Sequence, residues 1–220
     1  MKLFTDGAFG ARTAAVSRPY INDPSGPENF GNLLYSDEAF FKLVGQCLET
    51  KKSLAIHAIG DRAIEQTVNT LSKHESLVRA VPEVRIEHAQ LIDRPSAELA
   101  KQLGIKLSMQ PNFSADSVDY ADRLDPDFCQ ANNPHRMLID TVGFVPGEDL
   151  IFGSDGMPHG AEFALQQSLF PSFENQKLTL DEFQAGYCAE LEQSPNLGAI
   201  EVVTKGQNVQ CSMFNDQCSS

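Results

Sequence analysis

Two stretches decide how the rest of the chain reads: Leu54-Ala55-Ile56-His57-Ala58-Ile59-Gly60-Asp61-Arg62-Ala63-Ile64-Glu65 and Val84-Arg85-Ile86-Glu87-His88-Ala89-Gln90-Leu91-Ile92. Each opens as a short β-rich run and reaches a histidine. Each then passes through small residues into a segment of different period. The apolar residues Ile64, Val68 and Leu71 that follow the first run recur at helical spacing, which predicts a helix over Asp61 to Lys73. The two histidines are therefore separated by about one strand–helix–strand unit. Units of that kind build parallel sheets, and such sheets collect their chemistry at the carboxyl ends of the strands.

Working outward, the same rhythm continues on both sides. Further short strands are predicted at Lys2-Leu3-Phe4-Thr5, at Ile105 to Gln110 and at Leu150 to Asp155. Helices are predicted over Ser36 to Thr50, with Phe40, Phe41, Val44 and Leu48 inward, over Pro95 to Leu103 ending at Gly104, and over Thr179 to Leu191. Thr179 and Glu182 stand at capping-box spacing. Thr13 to Leu34 and Asn112 to Pro134 are rich in turn formers and read as long loops above the sheet, the second with helical turns. After Leu197, two short runs (LGAIEVV and NVQCSMF) suggest strands outside the main sheet, dividing the chain into a barrel part, 1–196, and a tail, 197–220.

Charge and cysteine content exclude several function classes. Acidic residues outnumber basic ones 30 to 17, for a net charge of −13. That field repels phosphate backbones and anionic lipid, so neither nucleic acid nor a membrane is an expected partner. No apolar stretch is long enough to span a bilayer, and the first residues lack the apolar core of a signal peptide. The five cysteines are scattered without a Cys-x-x-Cys pair. This argues against a disulfide framework or zinc ribbon, and predicts a reducing, cytoplasmic setting.

The residues with chemical potential at or near strand ends are Lys2, His57, His88 and Asp155. Histidine binds transition metals through a neutral ring nitrogen, and a carboxylate can bind metal or carry a proton. The bland readings are expected elsewhere: Asp61 as a helix N-cap, Glu87 in a salt bridge with a nearby arginine, His74 and His135 on the surface, and Asp116 to Asp127 as a solvated acidic loop.

The ordered runs KLFTDGAFGARTA, LAIHAIGDRAIE, RIEHAQLI, LSMQPNF and FGSDGMP resemble the amidohydrolase superfamily. The resemblance is greatest to its branch with D-aminoacylases and N-substituted formamide deformylases. It implies a (β/α)8 TIM barrel with a small accessory β-domain. In this chain the barrel is partial, holding strands four to eight. The resemblance also implies hydrolysis of non-peptide, amide-like C–N bonds in a small-molecule substrate, with zinc or another divalent transition metal, one or two ions in the full-length parent. By the same resemblance Lys2 matches a carbamylated metal-bridging lysine, His57 and His88 match metal ligands, and Asp155 matches a ligand that also shuttles the proton. Gln110, at the end of the run that matches strand seven, is the matching substrate-contact candidate; His159, in the loop after Asp155, is a second candidate by its position alone, beside the blander reading of a solvated loop histidine.

One departure is plain. The family's strand-one His-x-His does not occur here; the histidines are His57, His74, His88, His135 and His159. A piece of barrel also leaves open sheet edges. Two expectations follow: a homo-oligomer that covers those edges, and, as the rival to hydrolysis, a non-catalytic remnant acting as an interaction or oligomerisation module.

Overall fold

A computed structural model describes residues 1–156, 160–188, 199–205 and 208–214, the last two segments as backbone strands. Five parallel strands form one sheet in the order in which they occur: β1 (Lys2–Phe4), β2 (Leu54–Ala58), β3 (Val84–His88), β4 (Lys106–Met109) and β5 (Leu150–Phe152). β3 coincides with its sequence run, β2 is shifted by one residue, and β1, β4 and β5 are one, two and three residues shorter than theirs. A separate antiparallel pair, β6 (Ala199–Lys205) and β7 (Asn208–Phe214), forms at the two tail runs.

Helices connect the strands. They are α1 (Asp37–Glu49), α2 (Asp61–Lys73), the single turn α3 (Glu75–Val78), α4 (Arg94–Leu103), the short α5 (Asp116–Asp119) and α6 (Pro126–Ala131), α7 (Ala161–Leu169) and α8 (Leu180–Tyr187). Local chemistry fixes their ends. Ser36 and Asp93 cap α1 and α4 by accepting from Ala39 and Ser96 N–H, and Gly104 closes α4 in the left-handed conformation at φ 72°. Thr179 and Glu182 form the full capping box of α8, which ends at Tyr187; residues 189–191 lie outside the described residues.

Three features depart from the sequence reading. Gly60, not Asp61, is the N-cap of α2. A Cβ at Gly60 would stand 2.0 Å from the Ala15 carbonyl oxygen, so the backbone approach there requires glycine. Asp61 instead accepts from the Ser17 backbone N–H at 2.8 Å. Phe41 turns outward from α1 and stacks on His74, ring centroids 4.2 Å apart. A π-helical turn, Met137–Val142, precedes β5 and ends at Gly143, φ 85°.

The two faces of the sheet differ. Leu54, Ile56, Val84, Ile86, Leu107 and Leu150 lie on one face and are buried against Val44, Ile64, Val68, Ala100, Leu165 and Phe183 of the helices. The strand period of two places Lys2, Phe4, His57, Arg85, Glu87, Lys106 and Ser108 on the other face. There Arg85 pairs with Glu87 at 2.7 Å and Glu83 at 3.1 Å, as expected for Glu87. A second apolar cluster, including Phe9, Tyr20, Ile59, Leu91 and Phe128, packs the long loops together beside the carboxyl ends of the strands.

Candidate functional site

His57 and His88 meet at the carboxyl end of the sheet, ring centroids 4.6 Å apart and nearly edge to face. Simple alternation does not predict this. His88 pairs in register with Ala58, one position beyond His57, and so belongs to the helix-covered side. The backbone resolves the conflict. His88 and Ala89 take φ 74° and 49°, a rare conformation for residues with a Cβ, at the point where the ring is brought beside His57. Asp155 also has positive φ, 51°.

Hydrogen bonds fix the two ring tautomers. His57 Nε2 lies 2.9 Å from the Gly7 carbonyl, which can only accept. Nε2 therefore carries the proton, and Nδ1 presents a lone pair without a partner among the described residues. His88 Nδ1 lies 2.7 Å from Gln110 Oε1, and the Gln110 amide nitrogen faces the Ser108 carbonyl at 3.4 Å. Nδ1 is therefore the donor, and Nε2 presents a lone pair without a partner among the described residues. Burial, and then the neighbouring His57, push the His88 pKa below its ordinary value; the Gln110 contact and the Asp155 charge act against this. His88 is thus neutral at physiological pH, as a metal ligand must be.

Asp6 is a positioning residue that the sequence reading missed. Its buried carboxylate accepts from the N–H groups of Ala15 at 3.0 Å, Ile59 at 3.1 Å and Gly60 at 2.8 Å, and lies 3.4 Å from His57 Nε2. It ties the chain after β1 to the β2–α2 turn and brings the Gly7 carbonyl to His57. The visible signal was an acidic residue directly after a strand and before glycine, in Phe4-Thr5-Asp6-Gly7.

The remaining candidates fall elsewhere. Lys2 lies two residues before the level of His57 in the sheet and is exposed, its Nζ 5.1 Å from the Phe4 ring centroid. Gln110 is buried and committed to His88. Asp155 is exposed, and its charge is felt at His88. His159 lies outside the described residues. His135, expected on the surface, is fully buried: Nδ1 donates to the Gln176 carbonyl at 2.8 Å, and burial lowers its pKa to about 4. Asp116 is also not a solvated loop residue; burial raises its pKa to about 6.

Two free imidazole lone pairs on adjacent rings suit two positions of a zinc-type site, which takes three or four protein ligands. Among the described residues, no group of three or more His, Cys, Asp or Glu side chains converges on one ion position. The described residues thus bring together two of the three or four donors that such a site takes.

A parallel sheet with paired histidines at its carboxyl end defines a segment of a (β/α)8 metal-dependent hydrolase barrel. The chain belongs to the amidohydrolase family, whose model matches residues 1–163. It is 38% identical over 140 residues to YtcJ of Bacillus subtilis strain 168, a protein named as an amidohydrolase, covering 63% of this chain and 26% of YtcJ. It is 32% identical over 123 residues to LONG AFTER FAR-RED 3 of Arabidopsis thaliana, covering 54% of this chain and 20% of that protein. The fold matches an uncharacterized metal-dependent hydrolase of Pyrococcus horikoshii OT3, with TM-score 0.67 and 26% identity over 85% of this chain and 38% of that one. It matches a second, from Pyrococcus furiosus, with TM-score 0.68 and 24% identity over the same shares. The chain therefore spans a fifth to about a quarter of the curated relatives and under two-fifths of the solved ones. Among the described residues, no helix is long and apolar enough to cross a membrane.

Proposed function

We infer that this chain is the part of a metal-dependent hydrolase that holds an outer divalent ion, zinc or a similar transition metal, and cleaves amide-like C–N bonds of a small molecule. The observation that carries this reading is the complementary tautomer pair: His57 Nδ1 and His88 Nε2 both present lone pairs at one end of the sheet. A divalent ion supplies Lewis acidity to a carbonyl and acidifies water. In this reading Gln110, Asp6 and Gly7 hold the ligand rings in orientation. Asp155, exposed at the rim, takes a proton from water and passes it to the leaving nitrogen. The exposed setting of Lys2 is unlike the desolvated one a carbamate requires, so the lysine contributes to a site only if further barrel strands enclose it.

Elemental analysis of the purified chain tests the reading. About one zinc per chain is expected, lost in the double variant His57→Ala, His88→Ala. A chain that binds no zinc on titration, or binds it equally well without both rings, overturns the assignment.

A second reading has its own observation. Phe4 is 49% exposed on an edge strand of a parallel sheet. An open edge of this kind favours association with another chain. In this reading the protein is a non-catalytic interaction module or a homo-oligomer. A monomer by analytical ultracentrifugation, with metal-dependent amide hydrolysis, excludes it.

A further inference from the structure

Beside the histidine pair lies a cavity of about 370 Å³, between the chain after β1, the short turn Pro111–Ala115, α5 and the first turn of α7. Three aromatic residues from separate parts of the chain line it: Phe113, Tyr120 and Phe163. Each is half-buried, so aromatic surface remains for a ligand. The volume lies within the usual range of small-molecule sites.

Two residues join this cavity to the histidines. The Phe113 ring lies nearly parallel to His88, at 21° with centroids 6.0 Å apart, so it forms a step between the histidine pair and the cavity. Asp155 lines the cavity, and its charge is felt at His88. In the reading above Asp155 passes a proton to the leaving nitrogen. The substituent on that nitrogen then faces the cavity. A flat ring attached there can meet Phe113 and Tyr120 in the offset or edge-on geometry that aromatic pairs prefer.

Charge around the cavity selects further. Asp116, Asp119 and Asp155 line it, and no lysine, arginine or histidine does so among the described residues. Arg123 is engaged elsewhere: it stacks on Tyr120 at 4.8 Å and is held by Asp122 and the Gly10 carbonyl. An anionic substituent would meet like charge with no counter-ion. An uncharged aryl group instead turns its electropositive ring edge toward the carboxylates.

We propose that this cavity seats an uncharged aryl group carried on the leaving nitrogen of the substrate, with Phe113 as its main contact. The substrate class becomes an N-aryl amide without an acid group on the ring. The orientation of the amide rests on the hydrolase reading above, whereas the seat for the ring rests on the cavity's lining.

The test is calorimetric titration of the full chain with acetanilide, N-cyclohexylacetamide and 4-acetamidobenzoate, at neutral pH and constant salt. Acetanilide is expected to bind about threefold more tightly than the cyclohexyl amide. It should bind at least about tenfold more tightly than the benzoate. Phe113→Leu should abolish the preference for acetanilide over the cyclohexyl amide. Asp119→Asn, at an exposed position of α5, should raise benzoate affinity about two- to threefold and leave acetanilide unchanged, and it guards against a folding defect in the first variant. No binding of acetanilide at millimolar concentration, equal affinity for acetanilide and either other probe, or an aryl preference that survives Phe113→Leu overturns the proposal. So does a benzoate affinity that Asp119→Asn leaves unchanged. Aryl-selective binding without hydrolysis of any amide leaves the aryl seat standing and removes the hydrolase reading. Hydrolysis with the same KM for acetanilide and the cyclohexyl amide does the reverse.

Discussion

The two faces of the sheet follow different rules. The covered face is a conventional core, with Ile56, Ile86 and Leu107 excluded from water by helices on the far side. The other face carries Lys2, Phe4, Arg85 and Lys106, and its charged groups are held by pairs such as Arg85–Glu87. The buried core therefore lies on one face, and the histidine pair at the rim of the other.

The largest expected effect sharpens that contrast. Ile86→Ala removes a fully buried side chain from the covered face and should cost about 3–4 kcal/mol, read as a lower urea midpoint at unchanged slope. A loss under about 1 kcal/mol would mean that this face is not the folding core.

Next in size is a pH effect seated in buried groups. His135 has a folded pKa of about 4, below the ordinary histidine value. Above that ordinary value, about 6.5, the ring is neutral in both states. As the pH falls below it, the unfolded chain gains a proton that the folded chain refuses. Stability should then drop, by about 3 kcal/mol in the limit near pH 4. Asp116 acts in the opposite sense. Its folded pKa of about 6 makes the folded chain the better proton acceptor between there and the ordinary aspartate range, which adds stability on acidification. The two effects partly cancel. Asp116→Asn should therefore steepen the acid loss, seen in urea midpoints near neutrality and at about pH 4.5. An unchanged slope would remove Asp116 from this balance.

The smallest effect falls on the open face. Phe4→Ser should change stability by no more than about 0.5 kcal/mol, since nearly half of the ring is already in water. A larger loss, together with a lower sedimentation coefficient, would show that the open face is covered in solution by a second chain.

Much of this was legible from periodicity. Ile64, Val68 and Leu71 spaced as a helix, and the runs around Ile56 and Ile86, gave the strand–helix alternation and the level of the sheet at which His57 and His88 sit. What sequence could not provide depends on contacts between distant segments. Asp6 matters because Ile59 and Gly60 present N–H groups to it, and nothing local to Asp6 foretells that. His135 reads as a polar loop residue until Gln176 and Phe152 are seen around it. The placement of His88 beside His57 needs a left-handed backbone that period-two reasoning assigns to the wrong face. Gln110 looked like a substrate contact, yet its oxygen is already used to set a tautomer.

The Asp6 carboxylate also makes a statement about motion. One side chain captures amide protons from Ala15, Ile59 and Gly60, residues that lie on two separate segments of the chain. Those protons can meet solvent only when the shared acceptor lets go, so the three amides should show one common protection factor in deuterium exchange. The loop after β1, irregular by shape, then opens as part of the same cooperative unit as the β2–α2 turn.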